Sequence, residues 1–375
     1  MISKQDFINK IKTKVFPELL LTEKERKDTL WKGIFVSVFS LLFYFFYLLF
    51  IPEEANQSEI MDKSGKLLGF LLVIIFVCGF PMVIWHDFIS KQKKSFSPIF
   101  LKFLENLKDS QDIINKSLLH HTCLFSEFDS STYDDCISGS LKKADFSIAE
   151  TKLVYKAGTN KKNILKTSII VFRGICIAIP MKIPVSGYTL LFNTKFPQKF
   201  PILNKISLED TTFKKNYQVF SDNQIDARVL LTPAFMERLN ALKKCFRNKR
   251  IDVSFFGNHA VFAIHTNQDL FESYSLFRTV TNIKTYEKFY DEIKSIHDLI
   301  DILNINNASL PTGLTFNAKL YKQISAIKKK RSERLPLVLL AKFFRRSAIF
   351  FICLVLILGI LGVLFTVIDI ISSPL

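Results

Sequence analysis

The residues with the most chemical potential lie scattered along the chain. Ser140-Leu141-Lys142-Lys143 has the Ser-x-x-Lys spacing in which a lysine can take the proton of a serine nucleophile, and Ser221-Asp222-Asn223 has the form of the motif that accompanies it. The third element is out of order, because the Lys-x-Gly candidate, Lys156-Ala157-Gly158, falls between the two. Coincidence accounts for the match better than an acyl-transfer site. His120, His121 and Cys123 could offer soft metal ligands, but a four-ligand zinc site needs a second spaced pair, and none is near. His259 and His265 stand an even number of residues apart and can share a strand face, where a surface or edge role is the commoner one. There is no glycine-rich phosphate loop, and 12 glycines in the whole chain leave little scope for one. The residues therefore indicate no catalytic residue, no metal ligand and no cofactor.

One polar set stands apart. Asp222, Asp226 and Arg228 lie just before a capped helix, and Arg238 lies one turn inside it. Such a set can be an ion-pair network fixing a strand-to-helix connection, or a ligand pocket built on Arg228. Structural ion pairs also concentrate charge, so the first reading is favoured.

The elements that would position these residues follow from periodicity. Phe146–Lys156, Ser168–Ile179, Gly187–Phe192 and Tyr217–Phe220 read as strands. Thr232-Pro233 reads as a helix start, with the threonine as cap and the proline in the first turn. Ile251, Val253 and Phe255 alternate with polar residues up to Gly257-Asn258, which predicts a hairpin returning through His259–His265. Phe289, Ile293, Ile296, Ile300 and Leu303 line one side of a later helix. The expected fold class for residues 125–327 is α+β, with a mainly antiparallel sheet and helices packed on it.

Three uncharged stretches, 33–51, 67–85 and 347–368, predict membrane-spanning helices, since each approaches or exceeds the roughly 20 residues needed to cross hydrocarbon. Charge on their flanks sets an orientation. Residues 1–32 hold eight Lys/Arg against five Asp/Glu, the 52–66 connection is acidic, and the last residues hold no Lys or Arg. By the positive-inside rule the N-terminus and residues 86–346 are cytoplasmic, and the C-terminus lies outside. The expected layout is an amphipathic arm over 1–32, a membrane hairpin over 33–85, a helical stalk over 86–124 starting anew near Pro98, the α+β domain, a basic juxtamembrane segment over 328–346 and a last membrane helix. Lys328, Lys329, Lys330, Arg331, Lys342, Arg345 and Arg346 are the residues expected to face anionic lipid headgroups. The net charge of +17 also raises nucleic acid as a partner, but membrane proximity and an AT-rich coding bias explain it better. The six cysteines form no disulfide framework and read as reduced thiols.

Several pieces in one order resemble a bacterial family known as domain of unknown function 3137. They are Tyr133 to Gly139, Val171-Phe172-Arg173-Gly174, Tyr217 to Arg228, Leu231 to Leu239, Val253-Ser254-Phe255 and Asp269-Leu270-Phe271-Glu272. The resemblance implies a bacterial inner-membrane protein with paired helices before the domain. It implies no activity, cofactor or catalytic residue, and it hints at LemA-type membrane proteins as neighbours. The expected function is a membrane-attached domain that binds a protein partner or the anionic leaflet. A membrane-bound hydrolase or transferase with an unfamiliar site is the second expectation.

Overall fold

The computed structural model describes residues 1–50, 77, 79–104, 107–110, 114–141, 144–157, 167–194, 202–267, 278–306 and 322–329. A single long run of extended chain, β4 (Thr167–Asn193), organises the sheet. Pro180 and Pro184 divide it, because proline cannot donate to a ladder, and the register shifts on either side of Val185. The first half pairs antiparallel with β3 (Ala144–Ala157) and the second with β6 (Tyr217–Ser221). Outward from β3 come β2 (Ser130–Leu141) and β1 (Leu107–Asp109), and outward from β6, which α5 (Thr211–Asn216) precedes, comes β5 (Asn204–Ile206).

The last strand, β7 (Ile251–His265), pairs with both halves of β4. The His265 N–H donates to the Arg250 carbonyl at 2.8 Å, so the two ends of β7 meet and the segment doubles back on itself. Gly257 supplies the positive φ of 52° that the tight turn requires. The predicted hairpin is therefore present, held between the two halves of β4.

Alternation along β4 builds two cores. Ile175, Ile177 and Ile179 face one side, where they meet α7 (Pro233–Cys245) and α8 (Ile283–Asn306). Cys176 and Ala178 face the other, under Leu119, Phe125, Phe128 and Ile324. Thr232 caps α7 by accepting the Phe235 N–H at 3.2 Å, as its sequence predicts.

The N-terminal arm is part of the first core. It comprises α1 (Lys4–Lys10), a π-helical turn over Ile11–Val15 and the start of α2 (Phe16–Phe50). Phe7 packs on Phe289 and Tyr290, and the Tyr290 hydroxyl donates to the Ile2 carbonyl at 2.7 Å. Farther on, the Glu23 carboxylate accepts the Val280 N–H at 3.0 Å and pairs with Arg26 at 2.7 Å. α3 (Phe80–Phe103) runs antiparallel to α2, with Thr22 meeting Gln92 and Ser37 meeting the Val77 carbonyl.

The α+β class with an antiparallel sheet is as expected, but the membrane-spanning helices are corrected. Among the described residues, no helix is long and apolar enough to cross a membrane. The reason lies in composition along the axis. α2 spends its first half on a charged stretch that includes Glu18, Glu23, Lys24, Arg26 and Asp28, and α3 turns polar at His86 and Asp87. The described uncharged side chains of α2 run from Gly33 to Phe43, about 16 Å against roughly 30 Å of hydrocarbon, and the side chains at 44, 45 and 47–50 lie outside the described ones. Most of the 67–85 stretch and all of 347–368 lie outside the described residues. A second difference concerns Pro98, which sits inside α3 and does not begin a helix. The chain leaves the helix at Phe103 and enters β1, while α4 (Lys116–His121) is a separate short helix.

Candidate functional site

The polar set Asp222, Asp226 and Arg228 is drawn to one corner of the sheet but not into a pocket. Asp222 leaves the end of β6, and its Oδ1 accepts the Tyr188 N–H at 2.8 Å. Gly187 permits this approach, since a Cβ there would lie 2.0 Å from Asp222 Oδ1. Burial raises the Asp222 pKa above the usual carboxylate range, and the Tyr188 N–H bond partly offsets it. Asp226 is buried in α6 (Gln224–Leu230), whereas Arg228 is exposed on the same helix, and no ion pair joins it to either aspartate. Ser221 and Asn223 serve the same corner: Ser221 Oγ meets Thr189 Oγ1 at 3.0 Å, and the Asn223 side chain caps α6.

The histidines are engaged locally. His120 stacks on Phe128 with ring centroids 3.9 Å apart, and His121 Nδ1 lies 2.6 Å from the Ser117 carbonyl. Desolvation against that ring, with Lys328 close by, lowers the His120 pKa to about 4. Lys328 turns inward, 7% exposed, with its ammonium donating to the His120 carbonyl at 3.1 Å. Lys329 is exposed, and Lys330, Arg331, Lys342, Arg345 and Arg346 lie outside the described residues.

His265 was not recognisable from sequence as part of a charge network. Its Nε2 lies 2.9 Å from Asp252 Oδ2, and Arg250 donates to the same oxygen through Nε at 2.7 Å. The Asn193 N–H reaches Asp252 Oδ1 at 3.2 Å. Burial alone would raise the Asp252 pKa, but the bonds from His265 and Arg250 outweigh it and hold the carboxyl below its usual range. The only sequence trace of this cluster was the spacing across the hairpin turn, which sets residue 250 opposite residue 265.

Two surfaces could act on something outside the chain. The first is a cavity of about 350 Å³ where β2, β3 and β4 lie side by side at the end of β7. Asp134, Glu150, Lys152 and Arg173 line it, with Thr132 and Thr266 beside them. Gly174 makes it possible: a Cβ there would lie 1.9 Å from the Ile264 carbonyl, and the resulting close approach lets the Thr266 N–H donate to Arg173 at 3.1 Å. Two of the family-like pieces, Tyr133-Asp134 and Arg173-Gly174, thus meet in one place.

The second is the free end of the α2–α3 pair. Trp31, Ile34, Phe35, Val38, Phe39 and Leu41 to Phe43 are exposed, as are Met82 and Val83 on α3. With 100° between successive residues, these α2 positions form a broad face of about 200°, while Gly33 and Ser37 on the opposite side meet Pro81 and Val77. Phe35 is 70% exposed and Trp31 66%. Lys24, Lys27, Lys32 and Lys91 are exposed just below, interspersed with Glu25, Asp28 and Asp87.

Residues 170–305 match the model of a family described as "Protein of unknown function (DUF3137)". The match runs from within β4 to the end of α8, so the Tyr133 to Gly139 piece lies outside it. Among solved structures the chain is similar to the crystal structure of the mycobacterial trehalose monomycolate transport factor A, TtfA, at 10% identity and a TM-score of 0.29, over 50% of this chain and 79% of that chain. A likeness so slight carries no argument here. No curated protein matches.

Proposed function

From a chain that carries a DUF3137-family domain, we propose a binding domain held against an anionic lipid bilayer by the free end of its helix pair. The observation that carries this reading is the set of exposed apolar side chains between Ile34 and Phe43. An exposed apolar face this broad belongs in a large core or in lipid, and the described residues leave it uncovered. Trp31 sits where the charged stretch gives way to this shell, the place an indole prefers at a headgroup boundary. The exposed lysines below it suit anionic headgroups, each adding about 1 kcal/mol near the surface. The acids among them keep that contribution modest, so burial of apolar area dominates. Docking of the arm on α8 makes the helix pair a rigid mount for the sheet, which leaves the polar cavity on β2–β4 open to a ligand.

The test is flotation of the full chain, diluted from detergent, with vesicles of phosphatidylcholine and phosphatidylglycerol. Wild type should float, more so with phosphatidylglycerol, and F35D/F39D should stay at the bottom. Equal flotation of the variant, or a wild type that forms discrete dimers and ignores vesicles, would overturn the reading.

A further inference from the structure

A third surface lies where the C-terminal ends of α5 and α7 converge. The Lys243 ammonium donates to Asn216 Oδ1 at 2.9 Å, and Asn216 Nδ2 donates to Asn240 Oδ1 at 3.3 Å, which ties the two helix ends together. Beyond α7 the chain turns at Arg247 and Asn248, both at positive φ, and the Asn248 N–H donates back to the Lys243 carbonyl at 2.8 Å. Five of the eight residues from Lys243 to Arg250 are basic and none is acidic, and Lys214 and Lys215 stand across the junction. The innermost cations are engaged, with Lys243 over the Tyr217 ring and Arg250 paired with Asp252. The outer ones are not. Lys214, Lys215 and Lys244 are exposed and Lys249 half-buried, and none of these four side chains forms an ion pair or hydrogen bond among the described residues. A helix C-terminus favours cations, but its macrodipole amounts to about half a charge and fades within a turn. The two helix ends therefore offset about one positive charge and leave the rest of the patch repelling itself.

We propose that this patch docks a flexible acidic segment of a partner protein. Lysine ammoniums are point charges on mobile stems, and they can follow a chain of carboxylates that has no fixed shape. A built phosphate site would aim backbone N–H groups or an arginine fork at the anion, whereas two helix C-termini present carbonyls. The patch is also small. Asp210 lies about 8 Å from Lys215 along α5, and Glu237 about 10 Å from Lys244 along α7. A duplex seats its phosphates across a groove of about 12 Å and would meet those acids. Single strands stack on exposed aromatic rings, and Phe213, Tyr217 and Phe246 are all buried. The bilayer proposed above is out of range. Arg247 lies within electrostatic reach of Glu292 on α8. From there the path to the apolar face runs about 14 Å along α8 to Ile283, then about 30 Å along α2 from Glu23 to Phe43. The Debye length is about 8 Å, so the docking stands apart from bilayer attachment.

Fluorescence anisotropy of a labelled decaglutamate peptide, titrated with the full chain in detergent, tests it. Saturable binding is expected at moderate salt, weakening as salt rises. K214E/K215E/K244E should weaken it at least tenfold with an unchanged unfolding temperature, because those side chains have no partners to lose. K12E/K14E/K24E makes the same change of charge at exposed positions on the arm and should bind as wild type does, which separates a local patch from net charge. F35D/F39D should also bind the peptide fully, so a failure of bilayer attachment leaves this test readable. No saturable binding, full affinity in K214E/K215E/K244E, or an equal loss in K12E/K14E/K24E would each overturn the proposal. So would tighter binding of duplex DNA at matched charge, which would reassign the patch to nucleic acid.

Discussion

Asp252 and Phe35 break opposite rules. Asp252 is a carboxylate with no solvent exposure, and Phe35 is a large apolar side chain that is 70% exposed. The first is resolved inside the chain: Arg250, His265 and the Asn193 N–H all reach its oxygens. The second stacks on Phe39 but finds no cover among the described residues. The comparison teaches where to look for function. A buried charge with its partners present is architecture, here closing the open end of the β7 hairpin, whereas an exposed apolar shell without a cover points to something outside.

The largest expected effect comes from removing the resolved charge. Asp252→Ala should cost about 3–5 kcal/mol of stability, because Arg250 and His265 lose the carboxylate that compensates their burial. Urea unfolding measures it, and a loss under 1 kcal/mol would mean that the network holds nothing together. The pH dependence follows from the same geometry. The folded pKa of Asp252 lies below its unfolded value, so the group's contribution is fully present above the unfolded pKa and is lost as pH falls through the folded one. Asp252→Asn should flatten that acid limb relative to wild type.

Next in size is Gly174→Ala. Its Cβ would lie 1.9 Å from a backbone oxygen, so β4 and β7 must part, at about 1–3 kcal/mol. The change should also open the Thr266–Arg173 bond that walls the cavity. A variant as stable as wild type would show that the close approach is dispensable, and thermal unfolding settles the point.

These residues also show how far sequence reasoning reached. The hairpin around Gly257-Asn258 and the helix start at Thr232-Pro233 were legible because each is set by a few adjacent residues. β2 was missed as a strand, since Ser130 to Leu141 is rich in polar residues and carries a bulge between Asp134 and Ile137. The cavity was invisible for a related reason: Asp134, Glu150, Lys152 and Arg173 are ordinary surface charges until the register sets them in rows. Nor could a sequence show that Lys328 turns inward to the His120 carbonyl, because that depends on a helix over 322–329 packing on a distant segment. The 33–51 stretch was over-read because its apolar run was taken apart from the charged first half of α2 that carries it.

A smaller effect is expected from the unresolved side of the comparison. Phe35→Asp and Phe39→Asp should change stability by no more than about 0.5 kcal/mol, because both side chains already face outward. Their effect belongs to vesicle binding instead. A large loss of stability would mean that the shell is covered by the protein after all, and chemical unfolding in parallel with flotation separates the two.

Between the extremes lies His120, half-buried on Phe128 beside the inward Lys328. Its pKa is lowered to about 4 by desolvation first and the Lys328 charge second. The folded state therefore resists protonation that the unfolded chain accepts from about pH 6.5 downward. The contribution is complete above about 6.5 and declines as pH falls towards about 4. His120→Phe keeps the stacking and removes the proton, so its stability should fall less than that of wild type between pH 6.5 and 4. Identical pH profiles for the two would show that the ring is solvated, and that Lys328 sits near it without electrostatic consequence. Following the His120 ring by NMR titration reads the same quantity directly, and a midpoint near 6.5 would contradict the packing described.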